Sequence, residues 1–591
     1  MITYETTKTI RDLIENAGEE YGSRAFLRYE NNNIIYDLSF EKFAGICRII
    51  GAWANAQRTA RGHRIKAALF GSASTHYIPV LLGVMGSGNT AVPLDIQLDK
   101  EHLADCLNRS DIDVLFYDRE HEPLISEMRD LCPGIGAYYS LQSVRDVPCL
   151  NDILRDPRFT GHEWACQGEE GSVAPEDLAM ILFTSGTTGY SKGVMLSNGN
   201  LLDNVFSRDM DEEPGTNVYL SVLPIHHVFC ISSDYLIGLE EGATVCINGP
   251  LSALTRHLIL FEPTVMRMVP MIAKSLYNKM AAIASADPGL TEQEIFRQIY
   301  GRNLIRITCG GGGLPPELAK KYYDAGIKIG QGYGMSECSP IISSPVFDRP
   351  DKFASAGKKV RRCEIRTAAD GELQVKSPSV MQGYYGDPEL TKEAFTEDGW
   401  LRTGDLGYLD EEGFVYLTGR LKNLIILSNG ENVAPEELEG LFAPEPIVQD
   451  ILVFGEVDKI MCEIYPDFAY AQANGISDML AELEAVVRRI NEGLPTYKRI
   501  LRTGMRKSPF LKTTSKKIIR DAFFKERSLQ KKTEEDFKRP GNDEEQAIFK
   551  LCAETLGHRR FGVDTNLFEN GLDSFGSIML LTALQEKLGF S

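Results

Sequence analysis

The chain has 591 residues, of which 43% are hydrophobic and 25% charged, the make-up of a soluble globular protein too long for one core, so roughly two to four domains are expected. A formal net charge of −20 argues against non-specific binding to nucleic acid or anionic lipid, yet leaves ATP open because local basic groups decide that. No apolar run approaches the ~18 residues of a membrane span. The first residues, Met1 to Lys8, lack the charged and apolar regions of a signal peptide, and the 12 cysteines form no Cys-x-x-Cys pair or His/Cys cluster. Reduced core thiols, no metal centre held by cysteine, no disulfide framework and a cytoplasmic location are the expectation.

In chain order, Ala67 to Phe70 reads as a buried strand, Tyr77 to Met85 as a helix after it, and Asp113 to Tyr117 as another strand. That alternation predicts an α/β layered domain with a largely parallel sheet. Gly86-Ser-Gly-Asn89 lacks the third glycine of a dinucleotide motif and reads as a turn. Ile181 to Phe183 then ends a buried strand, and Leu182 to Gly193 crowds hydroxyls, glycines and one lysine together. Gly186, Gly189 and Gly193 allow successive N–H groups to point into one concavity. Thr184, Ser185, Thr187, Thr188 and Ser191 add hydroxyls, and Lys192 adds a positive charge. Such a stretch suits nucleotide phosphates; on composition alone a solvated turn remains the other reading. It is not a P-loop, because no Gly-Lys-Ser/Thr triplet has the required spacing.

The order Thr184-Ser-Gly-Thr-Thr-Gly189, then Ser191-Lys-Gly193, resembles the phosphate loop of the adenylate-forming superfamily: acyl-CoA synthetases, peptide-synthetase adenylation domains and luciferases. The resemblance implies that Thr184, Ser185, Gly186, Thr187, Thr188, Gly189 and Lys192 hold the β,γ-pyrophosphate of ATP, Lys192 serving as loop charge. Val222-Leu-Pro-Ile-His-His-Val-Phe229 is similar to the superfamily's next signature. His227 falls where relatives line the acyl pocket, whereas His226 is open to the simpler reading of a solvent-facing side chain. The Phe-Asp of α-amino-acid adenylation domains is absent here, which counts against an amine-bearing substrate, since a buried cation needs a partner.

Pro263 to Met271 and Arg306 to Glu317 resemble long-chain fatty acyl-CoA synthetases. Gly310 to Gly313 follow a strand without side chains, so a flat ring or acyl chain can lie on backbone; Gly310, Gly311 and Gly312 are assigned to the nucleotide site. A flexible loop is the alternative, though Pro315-Pro-Glu starts a helix at once. Gln331-Gly-Tyr-Gly-Met-Ser-Glu-Cys338 follows the predicted strand Ile327 to Ile329 and matches the superfamily motif in which Tyr333 stacks on adenine. There Ser336 supplies a hydroxyl and Glu337 offers Mg²⁺ a carboxylate. Asp405, in Thr403-Gly-Asp-Leu, matches the aspartate that accepts the ribose hydroxyls. Asp410-Glu-Glu-Gly413 reads as a hairpin turn, Arg420 matches the ribose and phosphate contact, and Lys422 matches the hinge of a small mobile domain. Asn423 stands where many relatives carry Asp or Glu, with no functional account of the difference.

Beyond the hinge an α+β pattern follows: a helix from Pro435, a strand at Ile451 to Phe454 and an amphipathic helix from Met479. It closes on Phe510-Leu-Lys-Thr-Thr-Ser-Lys-Lys-Ile-Ile-Arg520, where Lys517 matches the lysine that bridges substrate carboxylate and α-phosphate. Lys516 replaces the family glycine, the largest departure in the chain. Residues 526–542 read as a polar linker ending near Pro540-Gly541. A helix carrying Ala547, Ile548, Leu551, Cys552 and Leu556 on one face follows. Thr565 to Ile578, with Gly571-Leu-Asp-Ser574, resembles the phosphopantetheine site of acyl and peptidyl carrier proteins, Ser574 being the attachment hydroxyl; the other reading of Asp573-Ser574 is an ordinary helix cap. Relatives continue through two more helices past the point reached at Ser591, so a partial carrier is expected, its about fifty residues lying near the lower limit for an independent core.

The implied architecture is α/β. A large multi-layer AMP-binding domain spans 1–419, a small mobile α+β domain 420–525, a linker 526–542 and a truncated helical carrier 543–591. The implied activity is Mg²⁺- and ATP-dependent conversion of a carboxylic acid, medium- or long-chain fatty, to acyl-AMP, with transfer to a phosphopantetheine thiol of a carrier. Alternatives are a fatty acyl-CoA synthetase using free CoA, and a degenerate fusion that binds nucleotide without catalysis.

Overall fold

The computed structural model describes residues 2–161, 164, 172–184, 191–208, 215–427, 431–456, 459–513, 517–535, 540–556, 562–563, 567, 580 and 583–585. Two compact units result: Met1–Ser508 with Thr513–Lys517, and Pro509–Lys512 with Ile518–Ser591.

The first unit is built on two seven-stranded sheets. In one, the strands Thr90–Leu94, Lys66–Phe70, Val114–Tyr117 and Ala137–Ser140 run parallel. They are short apolar runs, as expected of strands covered on both faces. All ten residues of the helix Tyr77–Gly86 are buried, so the stretch read as a helix between strands is a core element rather than a surface one. On the other side of this sheet Leu178–Thr184 pairs parallel with Thr90–Leu94, and then antiparallel with Lys192–Ser197. The two-residue strand Gly383–Tyr384 completes the edge. The second seven-stranded sheet holds Lys328–Gln331, Arg306–Cys309, Val265–Met268, Val218–Ser221, Thr244–Ile247 and Ala25–Asn31 in parallel order, with Ile34–Ser39 antiparallel at its edge. The layered, largely parallel α/β reading is therefore correct.

A four-stranded antiparallel sheet follows: Glu364–Thr367, Glu372–Lys376, Leu401–Leu409 and Val415–Arg420. Its last two strands are joined at Asp410–Gly413, where the Gly413 N–H donates to the Asp410 carbonyl at 3.0 Å, the expected hairpin turn. From Ile425 onward the unit has a separate core, from Ile425, Val433, Leu438, Phe442, Val453, Ile464, Leu483, Val486 and Ile500. Around it lie the strands Val448–Glu456, Lys459–Pro466 and Ile500–Met505 and the helix Met479–Glu492, whose buried positions Leu483, Val486 and Val487 follow the helical period.

The second unit corrects the linker. A helix runs Arg520–Glu535, through the first ten residues read as linker. The reason is local: Glu526 to Glu535 holds no glycine or proline, and its Glu, Arg, Gln, Lys and Leu are good helix formers, whereas Pro540-Gly541 lies beyond the helix. The helix Asp543–Leu556 buries Leu551 and Cys552 together with Leu580. The attachment residue Ser574 lies outside the described residues. Eleven described cysteines are free and buried. Among the described residues no helix is long and apolar enough to cross a membrane.

Candidate active site

Asp405 and Arg420 face each other across the hairpin. The two residues pair directly, and three pairs nearer the turn, beyond a register shift after Leu406, Tyr408 stacks on Tyr416. The Arg420 Nε donates to Asp405 Oδ1 at 2.7 Å. The hydroxyl of Tyr333, from another sheet, donates to Asp405 Oδ2 at 2.7 Å, and the Asp405 N–H donates to Thr403 Oγ1 at 3.1 Å. The aspartate is 6% exposed. Burial raises its pKa from the usual carboxylate value, opposed by Arg420, the Tyr333 hydroxyl and Lys517. Each carboxylate oxygen accepts one protein hydrogen bond and keeps a lone pair, so a vicinal diol can still be bound.

The chain reaches Tyr333 from the strand Lys328–Gln331. Gly334 is needed next, because a Cβ there would run into the Pro340 carbonyl. Ser336 and Glu337 stand on the single turn Ser336–Cys338. The Tyr384 hydroxyl donates to Glu337 Oε1 at 2.9 Å, and Lys192 Nζ lies 5.2 Å from the centroid of the same tyrosine ring. Thr184 and Lys192 are cross-strand partners closing the hairpin that carries the hydroxyl-rich loop. Ser185, Gly186, Thr187, Thr188 and Gly189 lie outside the described residues. Among the described residues no group of three or more His, Cys, Asp or Glu could cage a metal. A lone half-buried carboxylate suits Mg²⁺, which usually takes one or two protein carboxylates and draws its remaining ligands from water and phosphate oxygens.

His227, expected on the acyl side, precedes the short helix Val228–Cys230 and the π-helical turns of Ile231–Leu236. Its ring lies 4.3 Å from that of His226. Burial pushes both imidazoles down to about 4, and for His227 the neighbouring His226 and Lys517 add repulsion that Asp95 partly offsets. Both are therefore neutral at physiological pH. His226 does not face solvent: its side chain is 9% exposed and its Nε2 lies 3.6 Å from Asp95. Gly310 is buried and its missing Cβ is replaced by the chain's own Phe229 ring, whereas Gly311, at φ +74°, Gly312 and Gly313 are exposed.

Lys517 is accessible to solvent, yet its ammonium senses Asp405 and Arg420, and His227 senses it in turn. Desolvation lowers its pKa from the usual lysine value, Arg420 lowers it further and Asp405 opposes them. Thr513 holds the backbone: its hydroxyl accepts from the Lys517 N–H at 3.1 Å and its own N–H donates to the Lys517 carbonyl at 2.8 Å. Lys516 lies outside the described residues. Lys422 is exposed in the turn Leu421–Asn423, between the antiparallel sheet and the small core. Asn423 donates from Nδ2 to Glu436, a partner beside which an Asp would place a like charge.

The profile of the AMP-binding enzyme family matches residues 14–385. The chain belongs to that family. The profile of the AMP-binding enzyme C-terminal domain matches 422–530, and that of the phosphopantetheine attachment site 546–591. This AMP-binding enzyme is 27% identical over 523 residues to the long-chain-fatty-acid–CoA ligase FadD15 of Mycobacterium bovis, covering 75% of this chain and 85% of that one. It is 32% identical over 360 residues to 4-coumarate-CoA ligase 2 of Narcissus pseudonarcissus, covering 56% and 59%. Its fold matches the anthranilate CoA ligase AuaEII in complex with anthranoyl-AMP, with a TM-score of 0.74 at 20% identity over 89% of this chain and 98% of that one. It also matches the A-PCP didomain of a carboxylic acid reductase from Segniliparus rugosus in complex with AMP, with a TM-score of 0.73 at 19% identity over 99% and 92%. The AMP-binding enzyme is thus an AMP-forming ligase that uses ATP and carries a C-terminal phosphopantetheine carrier region.

Tyr384, in Gln382-Gly-Tyr-Tyr385, carries no local signature, because the pairing of Gly383–Tyr384 with Lys192–Ser197 joins segments far apart in the chain.

Proposed function

We propose that this enzyme activates a medium- or long-chain fatty acid as its acyl-adenylate and passes the acyl group to a phosphopantetheine thiol on a carrier protein. The observation that supports this best is the convergence of Lys517 on Asp405, Arg420 and His227, because only a lysine from the far end of the chain can be withdrawn between two half-reactions. Asp405 accepts the ribose hydroxyls, Tyr333 lies against adenine, and Arg420 sits between ribose and phosphate. Thr184, Lys192 and the loop between them hold the leaving pyrophosphate, and Glu337 would hold Mg²⁺, which supplies charge neutralisation at the phosphates. The protonated Lys517 orients the substrate carboxylate on the α-phosphate. The carboxylate oxygen bonds to phosphorus as the bond to pyrophosphate breaks, so positioning and electrostatics suffice and no protein nucleophile is needed. The thiol, losing its proton, then attacks the acyl carbon, and AMP leaves. Neutral His227 and the ring of Phe229 over Gly310 border the acyl side.

Free CoA is the second reading of the acceptor, favoured by the names of the relatives. ATP–pyrophosphate exchange over a panel of fatty, aryl and amino acids tests the first step. Selective exchange with fatty acids is expected, and exchange with none would overturn the proposal. Mass spectrometry after treatment with a phosphopantetheinyl transferase decides the acceptor: a pantetheine adduct that becomes acylated on Ser574 supports the carrier, and its persistent absence supports CoA.

A further inference from the structure

Glu337 is tied from one side. Oε1 accepts the Tyr384 hydroxyl at 2.9 Å, and no other side-chain bond to this carboxylate occurs among the described residues. Behind it the Glu337 carbonyl accepts from the Met381 N–H at 2.8 Å, so the segment that brings the tyrosine also grips the backbone of the carboxylate. Tyr384 is itself fixed. It is 7% exposed, and its N–H donates to Thr391 Oγ1 at 2.9 Å. Its strand pairs with the one that follows the phosphate loop, Tyr384 opposite Val194, and the Tyr385 N–H donates to the Gly193 carbonyl at 2.7 Å. The ring thus has the loop's ammonium, Lys192 Nζ, 5.2 Å from its centroid and the carboxylate of Glu337 on its hydroxyl. One rigid side chain links the charge beside the pyrophosphate to the carboxylate beside the metal.

We infer that Tyr384 is a positioning residue that fixes the Glu337 carboxylate for Mg²⁺ and keeps it in register with Lys192 of the phosphate loop. The inference rests on the function proposed above. A carboxylate with one oxygen on a buried phenol has one rotamer and presents the other oxygen to the metal, and outer partners of this kind are worth roughly ten- to a hundredfold in metal affinity. A phenol buried merely for its ring would lose little on becoming phenylalanine.

The test is Tyr384→Phe in the full-length chain. Mn²⁺ binding in the presence of a non-hydrolysable ATP analogue is followed by electron paramagnetic resonance, and the Mg²⁺ midpoint of pyrophosphate exchange by titration. Both midpoints should rise about tenfold, with the rate at saturating Mg²⁺ within a few fold of wild type and a cooperative melting transition retained. In a Glu337→Gln background the same change should add no further shift in Mn²⁺ binding. Equal midpoints in wild type and Tyr384→Phe, an equal shift with and without Glu337, or loss of the fold in Tyr384→Phe would overturn the inference. Wild-type enzyme that binds Mn²⁺ and the analogue but exchanges with no acid would contradict the proposed function alone, leaving the Mn²⁺ comparison to decide on Tyr384.

Discussion

The corner around Asp405 and the segment around Lys517 serve one reaction and are built in opposite ways. Asp405 is 6% exposed, paired through a hairpin register with Arg420 and bonded to Tyr333 from another sheet. Lys517 is solvent-accessible, its backbone bonded to Thr513 in a short turn at the end of the small core's segment. On the proposed function, the aspartate that holds the ribose through both half-reactions is fixed in the interior. On the same proposal, the lysine needed only while the acyl-adenylate forms is solvent-accessible. The difference teaches that a site can divide its chemistry by rigidity as well as by charge.

That contrast can be broken at its rigid end first. Asp405→Ala removes the acceptor for the ribose and strands Arg420 and Tyr333. On the order of a hundredfold should be lost in kcat/KM for ATP, since charged hydrogen bonds are worth about 1.5–3 kcal/mol each. Thioester formation from supplied acyl-adenylate should weaken too, because the same ribose is gripped; steady-state kinetics of each half-reaction would show it. Loss confined to one half would place Asp405 in the wrong class.

The next effect is one of pH. Lys517 works protonated, and burial with Arg420 lowers its pKa in the free enzyme. Activity in kcat/KM for adenylation is therefore present at lower pH and lost as pH rises through that lowered pKa, earlier than an ordinary lysine near about 10.4 would allow. Lys517→Arg should be slower but flat over the same range. A basic limb that survives in Lys517→Arg belongs to another group.

The smallest effect sharpens the comparison. Lys274, on the helix Pro270–Ala286, donates to the carbonyl of Ala443 in the small core at 3.3 Å. Burial lowers its pKa, with Asp450 and Asp467 opposing. Lys274→Met removes this tie between the two cores. Adenylation should fall about threefold, the scale of one hydrogen bond, while thioesterification of supplied acyl-adenylate holds or rises; an equal fall in both would mean plain destabilisation.

Much of this was legible in the sequence. The alternation of apolar runs gave the layered α/β architecture, and Asp410-Glu-Glu-Gly413 gave the hairpin whose register pairs Asp405 with Arg420. Motif order alone named Tyr333, Asp405, Arg420 and Lys517, which the fold brings to one corner. What the sequence hid was non-local. Tyr384 meets Glu337 only because a two-residue strand joins the edge beyond Lys192. Asn423 gains its sense from Glu436, contributed by a different segment. The helix through Glu535 was hidden for another reason: mixed charge was read as linker where helix propensity decided.

The central claim is that Lys517 serves adenylation and not thioester formation. Lys517→Ala should be assayed for both half-reactions side by side, ATP–pyrophosphate exchange with the preferred acid and thioester formation from supplied acyl-adenylate. The account predicts exchange reduced by about a hundredfold or more, the scale of removing one preorganised transition-state donor, with thioester formation near wild type. Equal loss of both half-reactions would contradict it.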